Sequence, residues 1–160
     1  MAATPWLDDQ EMRTLRAVVE VSVSLLQRLD DELAATHGLS LADYEVLVHL
    51  SEAPGGRRRM STLAERALMS RSRLTYRVNR LEEAGLVVRQ PCSEDRRGWY
   101  AALTSDGVAL LERAAPTHVD GVRRHLLDQV RGSEMLPLTT VLARVAAALG
   151  AQRMESSLSS

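Results

Sequence analysis

The sequence predicts a mainly α-helical protein that carries one small β-hairpin, and three observations support this fold class. Apolar residues recur at steps of three and four along most of the chain, which is typical of amphipathic helices. Strand-forming residues at 86–88 and 99–103 flank a polar turn at 91–98, which predicts a hairpin. Glycines at 38 and 85 follow periodic stretches, where a residue that tolerates a left-handed conformation commonly ends a helix.

The composition fits a folded chain, because apolar residues make up 45% of its 160 residues. No stretch approaches the roughly 18 consecutive apolar residues that a membrane span needs. Residues 1–10 have neither the basic nor the apolar segment of a signal peptide. The single cysteine, Cys92, excludes a disulfide framework. We therefore expect a cytoplasmic protein that is not associated with a membrane.

The first predicted helix is long and ends at His37 and Gly38. One apolar stripe runs along it, formed by Met12, Leu15, Val19, Val23, Leu26, Leu29 and Leu33. A second helix is predicted over 41–51, with Ser40 as its N-cap. Its apolar face consists of Tyr44, Leu47, Val48 and Leu50. Residues 52–59 contain Pro54 and two glycines, so they are predicted to form a loop.

Two shorter helices follow this loop. The first is predicted over 62–68 with Ser61 as its N-cap, and the second over 71–84, ending at Gly85. Met69 and Ser70 form the tight connection between them. On the second helix the predicted buried stripe is Leu74, Val78 and Leu81.

After the hairpin, Thr104 is predicted to cap a helix that reaches towards Arg131, with Pro116 expected to kink or break it. Ser133 is predicted to cap a final helix that ends at Gly150. The chain thus divides into an N-terminal helix (1–38), a central domain (39–104), a C-terminal helical pair (105–150) and a flexible tail (151–160).

Charge is distributed unevenly along the chain. Between Arg57 and Arg97 there are eleven arginines against five acids, a local net charge of +6. The remainder holds nine arginines against sixteen acids, a net charge of −7, so that the whole chain carries −1. Such asymmetry predicts a basic surface that binds a polyanion.

The two short helices and their tight connection have the form of a helix-turn-helix, whose basic second helix would enter the major groove of double-stranded DNA. Arginine can bond guanine, asparagine can bond adenine, and hydroxyl groups can bond base edges or phosphates. The predicted DNA contacts are Ser70, Arg71, Ser72, Arg73, Thr75, Tyr76, Arg77, Asn79 and Arg80. The alternative is that these residues form only the solvated face of a core helix.

The hairpin turn strengthens the DNA-binding interpretation, because Arg96 and Arg97 lie at its tip and a narrow minor groove attracts arginine. The run Asp95-Arg-Arg-Gly-Trp-Tyr-Ala-Ala-Leu-Thr104 and the segment Ser70–Leu86 resemble the wing and the recognition helix of the MarR (multiple antibiotic resistance-type) regulators. The resemblance implies that Arg97 enters the minor groove and that Asp95 orients an arginine through a salt bridge.

The resemblance also implies the whole architecture, a winged helix-turn-helix with an N- and C-terminal helical dimerisation layer. The apolar surface of the first and last two helices exceeds what one small domain can cover, which independently favours a homodimer. A two-fold dimer would bind a pseudo-palindromic operator. The expected function is therefore regulation of transcription, as a repressor.

Members of this family often release DNA when they bind a small aromatic or phenolic anion. A urate-responsive subgroup uses an acid on the second helix and two arginines, and the matching positions here are Glu45, Arg77 and Arg89. The subgroup has Asp where this chain has Glu45. The alternative interpretation of these three residues is an interdomain ion-pair cluster.

Other functions have weaker support in the sequence. A redox-sensing regulator would use Cys92, expected to be exposed at the wing, but the chain holds no second cysteine to resolve an oxidised form. The four histidines form no short ligand pair, and no motif of an enzyme or of a cofactor site is present. A helical protein-interaction adaptor is the alternative from a different class, and it should show no salt-dependent shift of random duplex DNA.

Overall fold

The computed structural model describes residues 5–92 and 98–158, with side chains described up to Gly150. The chain divides into two compact units, Met1–Val122 and Arg123–Ser160. The described ranges form six α-helices and three β-strands, which are α1 (Asp9–His37), α2 (Leu41–Ser51), β1 (Arg57–Arg59), α3 (Met60–Arg66), α4 (Arg71–Glu83), β2 (Val87–Pro91), β3 (Trp99–Leu103), α5 (Ser105–His125) and α6 (Gly132–Leu158).

Local side-chain chemistry fixes both ends of α1. The Asp8 carboxylate accepts hydrogen bonds from the backbone N–H of Gln10 and Glu11, and the Glu11 carboxylate accepts one from the backbone N–H of Asp8. This reciprocal capping box satisfies N–H groups that the helix cannot pair itself. Gly38 ends the helix at φ 64°, which confirms its predicted role.

Helix α2 has the predicted bounds and the predicted N-cap, Ser40. Its buried surface is wider than one stripe, because Val46 is fully buried together with Leu47 and Leu50. The prediction missed Val46, since a helix that is covered on several sides shows no clean periodicity. These side chains join Leu33, Leu63, Leu74 and Val78 in the hydrophobic core.

The sheet is antiparallel with the strand order β1-β3-β2. The predicted hairpin is confirmed, with β3 at its predicted bounds and Val87 opposite Leu103, although β2 extends to Pro91. The prediction of a loop was wrong for Arg57–Arg59, which pair with β3 as an edge strand. Three consecutive arginines show no apolar alternation, so this strand depends on pairing with β3 rather than on its own pattern.

Helix α3 begins and ends two residues before its predicted positions, and Ser61 is not its N-cap. The helix ends early because Leu68 adopts the left-handed conformation at φ 53°. The backbone N–H of Met69 then donates to the carbonyl of Ala64, at 2.9 Å, before Ser70 starts α4. The turn chemistry of a leucine in this conformation is not visible in sequence.

Helix α5 runs through Pro116 to His125, so Pro116 does not break the helix, and the predicted reach towards Arg131 was wrong. The helix approaches α1 closely at Gly121, where a Cβ atom would lie 2.8 Å from Leu29 Cδ2, and Ala114 is fully buried. The predicted cap is confirmed, with the N–H of Gly107 donating to Thr104 Oγ1 at 3.0 Å.

Helix α6 lies in the second unit and begins at Gly132, so that Ser133 is not its N-cap. The helix continues through Gly150 to Leu158, which corrects the predicted end. Large apolar side chains on it are exposed, including Leu142, Val145 and Leu149. No helix of the part of the chain that the structure describes is long and apolar enough to cross a membrane.

Candidate nucleic-acid interface

Helix α4 presents one buried side and one exposed side, as predicted. Leu74, Val78 and Leu81 are 1%, 0% and 3% exposed, which fixes the rotation of the helix against the core. Eight of the nine α4 residues predicted to contact DNA are exposed, namely Ser70, Arg71, Ser72, Arg73, Thr75, Tyr76, Asn79 and Arg80. Arg77 is the ninth, and it is half-buried.

Hydroxyl groups organise the start of α4. Ser70 Oγ accepts from the backbone N–H of Arg73 at 3.3 Å and lies 3.1 Å from Ser72 Oγ. Thr75 donates its hydroxyl to the carbonyl of Arg71 at 2.8 Å. The helix therefore begins with an ordered N-terminus, a feature that favours the approach of a phosphate.

Arg89 joins β2 to the exposed face of α4. Its guanidinium donates to Glu82 Oε2 at 2.7 Å, and its backbone N–H donates to Glu82 Oε1 at 3.0 Å. A second nitrogen of Arg89 donates to Asn79 Oδ1 and to the carbonyl of Thr75. Asn79 would use this same oxygen as the acceptor in a bidentate contact with adenine, and its second lone pair remains available while Arg89 is bound.

Three arginines converge on a cleft between α4 and the sheet. Arg59, Arg71 and Arg89 line this cleft of about 590 Å³ together with Asn79 and Trp99. Trp99 is half exposed there. Arg59 was not a predicted site residue, because its place beside α4 depends on the unpredicted strand β1. The cleft thus places three guanidinium groups next to the exposed face of α4.

Cys92 lies at the base of the wing. It was expected to be exposed, but only 6% of its surface is accessible. Its backbone N–H donates to the carbonyl of Gly98, at 2.9 Å, and Arg59 Nη2 lies 3.1 Å from its Sγ. Burial limits the access of an oxidant to this thiol, which weakens the redox alternative. The predicted contacts Asp95, Arg96 and Arg97 lie outside the described residues.

The Arg77 side chain extends towards α2 and not into solvent. Its Nη1 atom donates to Ser40 Oγ at 3.1 Å and to both carboxylate oxygens of Asp43 at 3.4 Å. Asp43 is 3% exposed. Ser40 and Asp43 were not predicted as partners of Arg77, although an acid three residues after a serine N-cap is a recognisable signal.

The structure does not bring Glu45, Arg77 and Arg89 together as a ligand site. Arg77 pairs with Asp43 and Arg89 with Glu82, whereas Glu45 lines a separate cavity of about 340 Å³. The three residues therefore form no ion-pair cluster, and their shared role in ligand binding stays a prediction. An acid of α2 does pair with a recognition-helix arginine, but that acid is Asp43.

The Glu45 cavity is bounded by α2, α3 and α5, and includes Tyr44, Arg66 and His118. Burial raises the pKa of Glu45, an effect that nearby His49 partly opposes, and burial lowers the pKa of His118. The rings of Tyr44 and His118 are 4.6 Å apart between centroids. In the described ranges, no three acidic, histidine or cysteine side chains are arranged to hold a metal ion.

The helix-turn-helix formed by α3 and α4, together with the hairpin formed by β2 and β3, defines a winged helix-turn-helix protein. The sequence pattern of the MarR family matches residues 37–98. The transcriptional regulator PecS of Dickeya dadantii (strain 3937) is 31% identical over 148 residues, which cover 88% of this chain and 84% of PecS. The chain belongs to the MarR family of transcriptional regulators.

Solved structures of the family agree with this assignment. The MarR-family regulator AbsC of Streptomyces coelicolor is 41% identical, with a TM-score of 0.87 over 91% of this chain and 98% of AbsC. Sco3205 from the same organism, whose structure is a complex with DNA, is 38% identical, with a TM-score of 0.88 over 91% of this chain and 92% of Sco3205.

Proposed function

We propose that this regulator binds a specific double-stranded DNA operator through the exposed face of α4 and represses transcription there. The observation that carries the proposal is the exposure of eight polar, basic or aromatic side chains on one face of α4, beside a cleft with three arginines. The DNA complex of Sco3205 supports the same use of this fold. The protein would act in the cytoplasm and would not be an enzyme.

The wing would contribute a second type of contact. Arg96 and Arg97 would enter the flanking minor groove, with Asp95 orienting one of them. The support is the family resemblance of this segment and the attraction of arginine to a narrow groove. The described base of the wing, at Cys92 and Gly98, is joined by a hydrogen bond.

A homodimer would cover two apolar surfaces that one chain leaves open. On α1, Leu15, Val19 and Leu26 are 48%, 54% and 53% exposed, and on α6, Val141, Val145 and Leu149 are 46%, 50% and 58% exposed. Exposed apolar surfaces of this extent commonly mark an interface. A two-fold dimer would present two α4 helices to a pseudo-palindromic operator.

A small aromatic anion would act as an effector in the Glu45 cavity. Tyr44 and His118 offer aromatic surfaces, and Arg66 offers a positive charge. Binding would be detected as a rise in melting temperature with a panel of aromatic carboxylates and phenols. Arg66→Gln should abolish the rise for the carboxylates, and its persistence would exclude this cavity.

The DNA-binding proposal is tested by selecting bound duplexes from a random library and titrating salt in gel shifts. Arg73→Ala should weaken binding of the selected duplex, whereas Arg113→Ala, which removes an equal charge from an exposed position on α5, should have little effect. If the wild-type protein enriches no sequence and shifts no duplex, the proposal is wrong and the adaptor alternative is favoured.

A further inference from the structure

Arg77 differs from the other arginines of the recognition helix in its surroundings. Arg73 and Arg80 are exposed, whereas the Arg77 side chain is 23% exposed and pairs with an acid that is itself buried. At about 100° per residue, Arg77 lies roughly 40° from Arg73 towards the buried stripe. It thus occupies the boundary between the recognition face and the core.

The partners of Arg77 form a closed polar cluster at the start of α2. Ser40 Oγ donates to Asp43 Oδ2 at 2.7 Å and accepts from the backbone N–H of Asp43 at 3.1 Å. Arg77 Nη1 bonds both side chains, so one nitrogen completes the cluster. A buried carboxylate without a cation is costly, which holds Arg77 in this place.

The cluster is continuous with α1. The backbone N–H of Leu41, the residue after Ser40, donates to Asp30 Oδ1 on α1 at 2.8 Å. A chain of hydrogen bonds therefore runs from α1 through the start of α2 to the middle of α4. These contacts join α4 to α2 and α1.

We propose that Arg77 is a positioning residue, which with Asp43 and Ser40 sets the rotation of α4 and makes no contact with DNA. This role rests on the proposed DNA-binding function and replaces the sequence-based expectation that Arg77 contacts the operator. A small rotation of α4 about its axis would move Arg73 and Tyr76 relative to base edges, so loss of the cluster would reduce sequence discrimination.

The direction in which Asp43→Asn changes the affinity for DNA distinguishes a positioning role of Arg77 from a phosphate contact. If Arg77 bound phosphate and Asp43 only competed for it, Asp43→Asn would free the cation and remove a negative charge, and DNA would bind more tightly. If Arg77 positions α4, the same substitution removes the ion pair and one acceptor of the cluster, and the operator binds more weakly. Asparagine has the size of aspartate, so packing is retained.

The experiment uses the full chain with a duplex selected by the wild-type protein and a scrambled duplex of equal length. Binding of Asp43→Asn, Arg77→Gln and the double variant is measured as a function of salt, with Arg80→Gln as the control for an exposed arginine. Each cluster variant should bind the selected duplex about ten-fold more weakly, with an unchanged salt slope and unchanged affinity for the scrambled duplex. Arg80→Gln should lower the slope.

The double variant should bind no more weakly than the poorer single variant, because each single substitution already breaks the cluster. The proposal is overturned by tighter binding of Asp43→Asn, by a lower salt slope of Arg77→Gln, or by effects that multiply in the double variant. If one single variant does not fold, as judged by circular dichroism, the other single variant alone tests the proposal. A wild-type protein that selects no sequence would refute the DNA-binding function instead.

Discussion

Leu68 is the residue whose backbone conformation carries the clearest strain in the part of the chain that the structure describes. Its φ of 53° lies in the left-handed region, and its side chain is 71% exposed, so packing compensates little. Leu68→Gly should relieve about 1–2 kcal/mol of strain, partly offset by about 0.4–1 kcal/mol from the more flexible unfolded chain. We expect unfolding in urea to show a net gain below about 1.5 kcal/mol.

Leu68→Ala is the control for this prediction, since it shortens the side chain and keeps the Cβ atom that causes the strain. The alanine variant should show no gain. Equal stability of the glycine and alanine variants would mean that the exposed apolar side chain, and not the backbone, determines the effect.

His118 should make stability depend on pH, because burial lowers its pKa in the folded state. The unfolded chain then binds a proton that the folded chain does not, so stability is lost as pH falls through the unfolded pKa of about 6.5. His118→Gln should flatten the decline in melting temperature between about pH 7.5 and pH 5.5.

Glu45 opposes this trend, since its raised pKa favours the folded state as pH falls. Its contribution remains in the His118 variant, so the difference between the two proteins isolates His118. A variant at 118 with the wild-type decline would contradict the prediction.

Residue identities could be predicted from the sequence more completely than residue partners. The buried stripe Leu74, Val78 and Leu81 follows from helical periodicity alone. The pairing of Arg77 with Asp43 joins residues 34 positions apart, and no local pattern encodes which of two nearby acids on α2 faces α4. That choice is made by the tertiary packing of the two helices.

At the scale of elements, helices with caps and apolar stripes could be predicted, whereas elements that depend on a neighbour could not. Helix α2 and strand β3 have their predicted bounds. Strand β1 forms because β3 offers a free edge, and Arg57 and Arg59 place their guanidinium groups 5.2 and 5.8 Å from the centre of the Tyr100 ring. Helix α5 continues through Pro116, with Ala114 and Gly121 buried on either side of the proline.

The recognition helix and the wing should contribute separable terms to DNA binding. Arg73→Ala should relax preference at particular base positions, at a cost of about 1–3 kcal/mol for each bidentate pair of hydrogen bonds to a base that the substitution removes. Arg97→Ala should weaken all duplexes evenly and lower the salt slope by about one unit for each bound protomer. Selection from a random library, followed by salt titration, measures both effects. A wing variant with a changed sequence preference and an unchanged slope would reverse the assignment.

For the molecule as a whole, the exposed apolar faces of α1 and α6 predict that stability and DNA binding both depend on a second copy. Val19→Glu and Val145→Glu each place a charge in a surface that the dimer would bury. We expect sedimentation to show monomers and gel shifts to show a loss of operator binding. Val88→Glu alters an exposed valine of β2 and should leave the sedimentation of the dimer unchanged. Variants that remain dimeric would show that other surfaces associate.

A dimer with a two-fold axis also fixes the geometry of its operator. Its two α4 helices must enter major grooves on the same side of the duplex, so half-site centres should lie about 10 base pairs, or ~34 Å, apart. An insertion of about five base pairs between the half-sites rotates one of them by half a turn and should abolish binding of the dimer, whereas an insertion of about ten restores the phase. Partial recovery is expected from the longer insertion, because the protein must span a greater distance. Gel shifts with the two inserted duplexes measure this phasing, and tight binding to the shorter insertion or to a single half-site would show that the protomers do not bind as a symmetric pair.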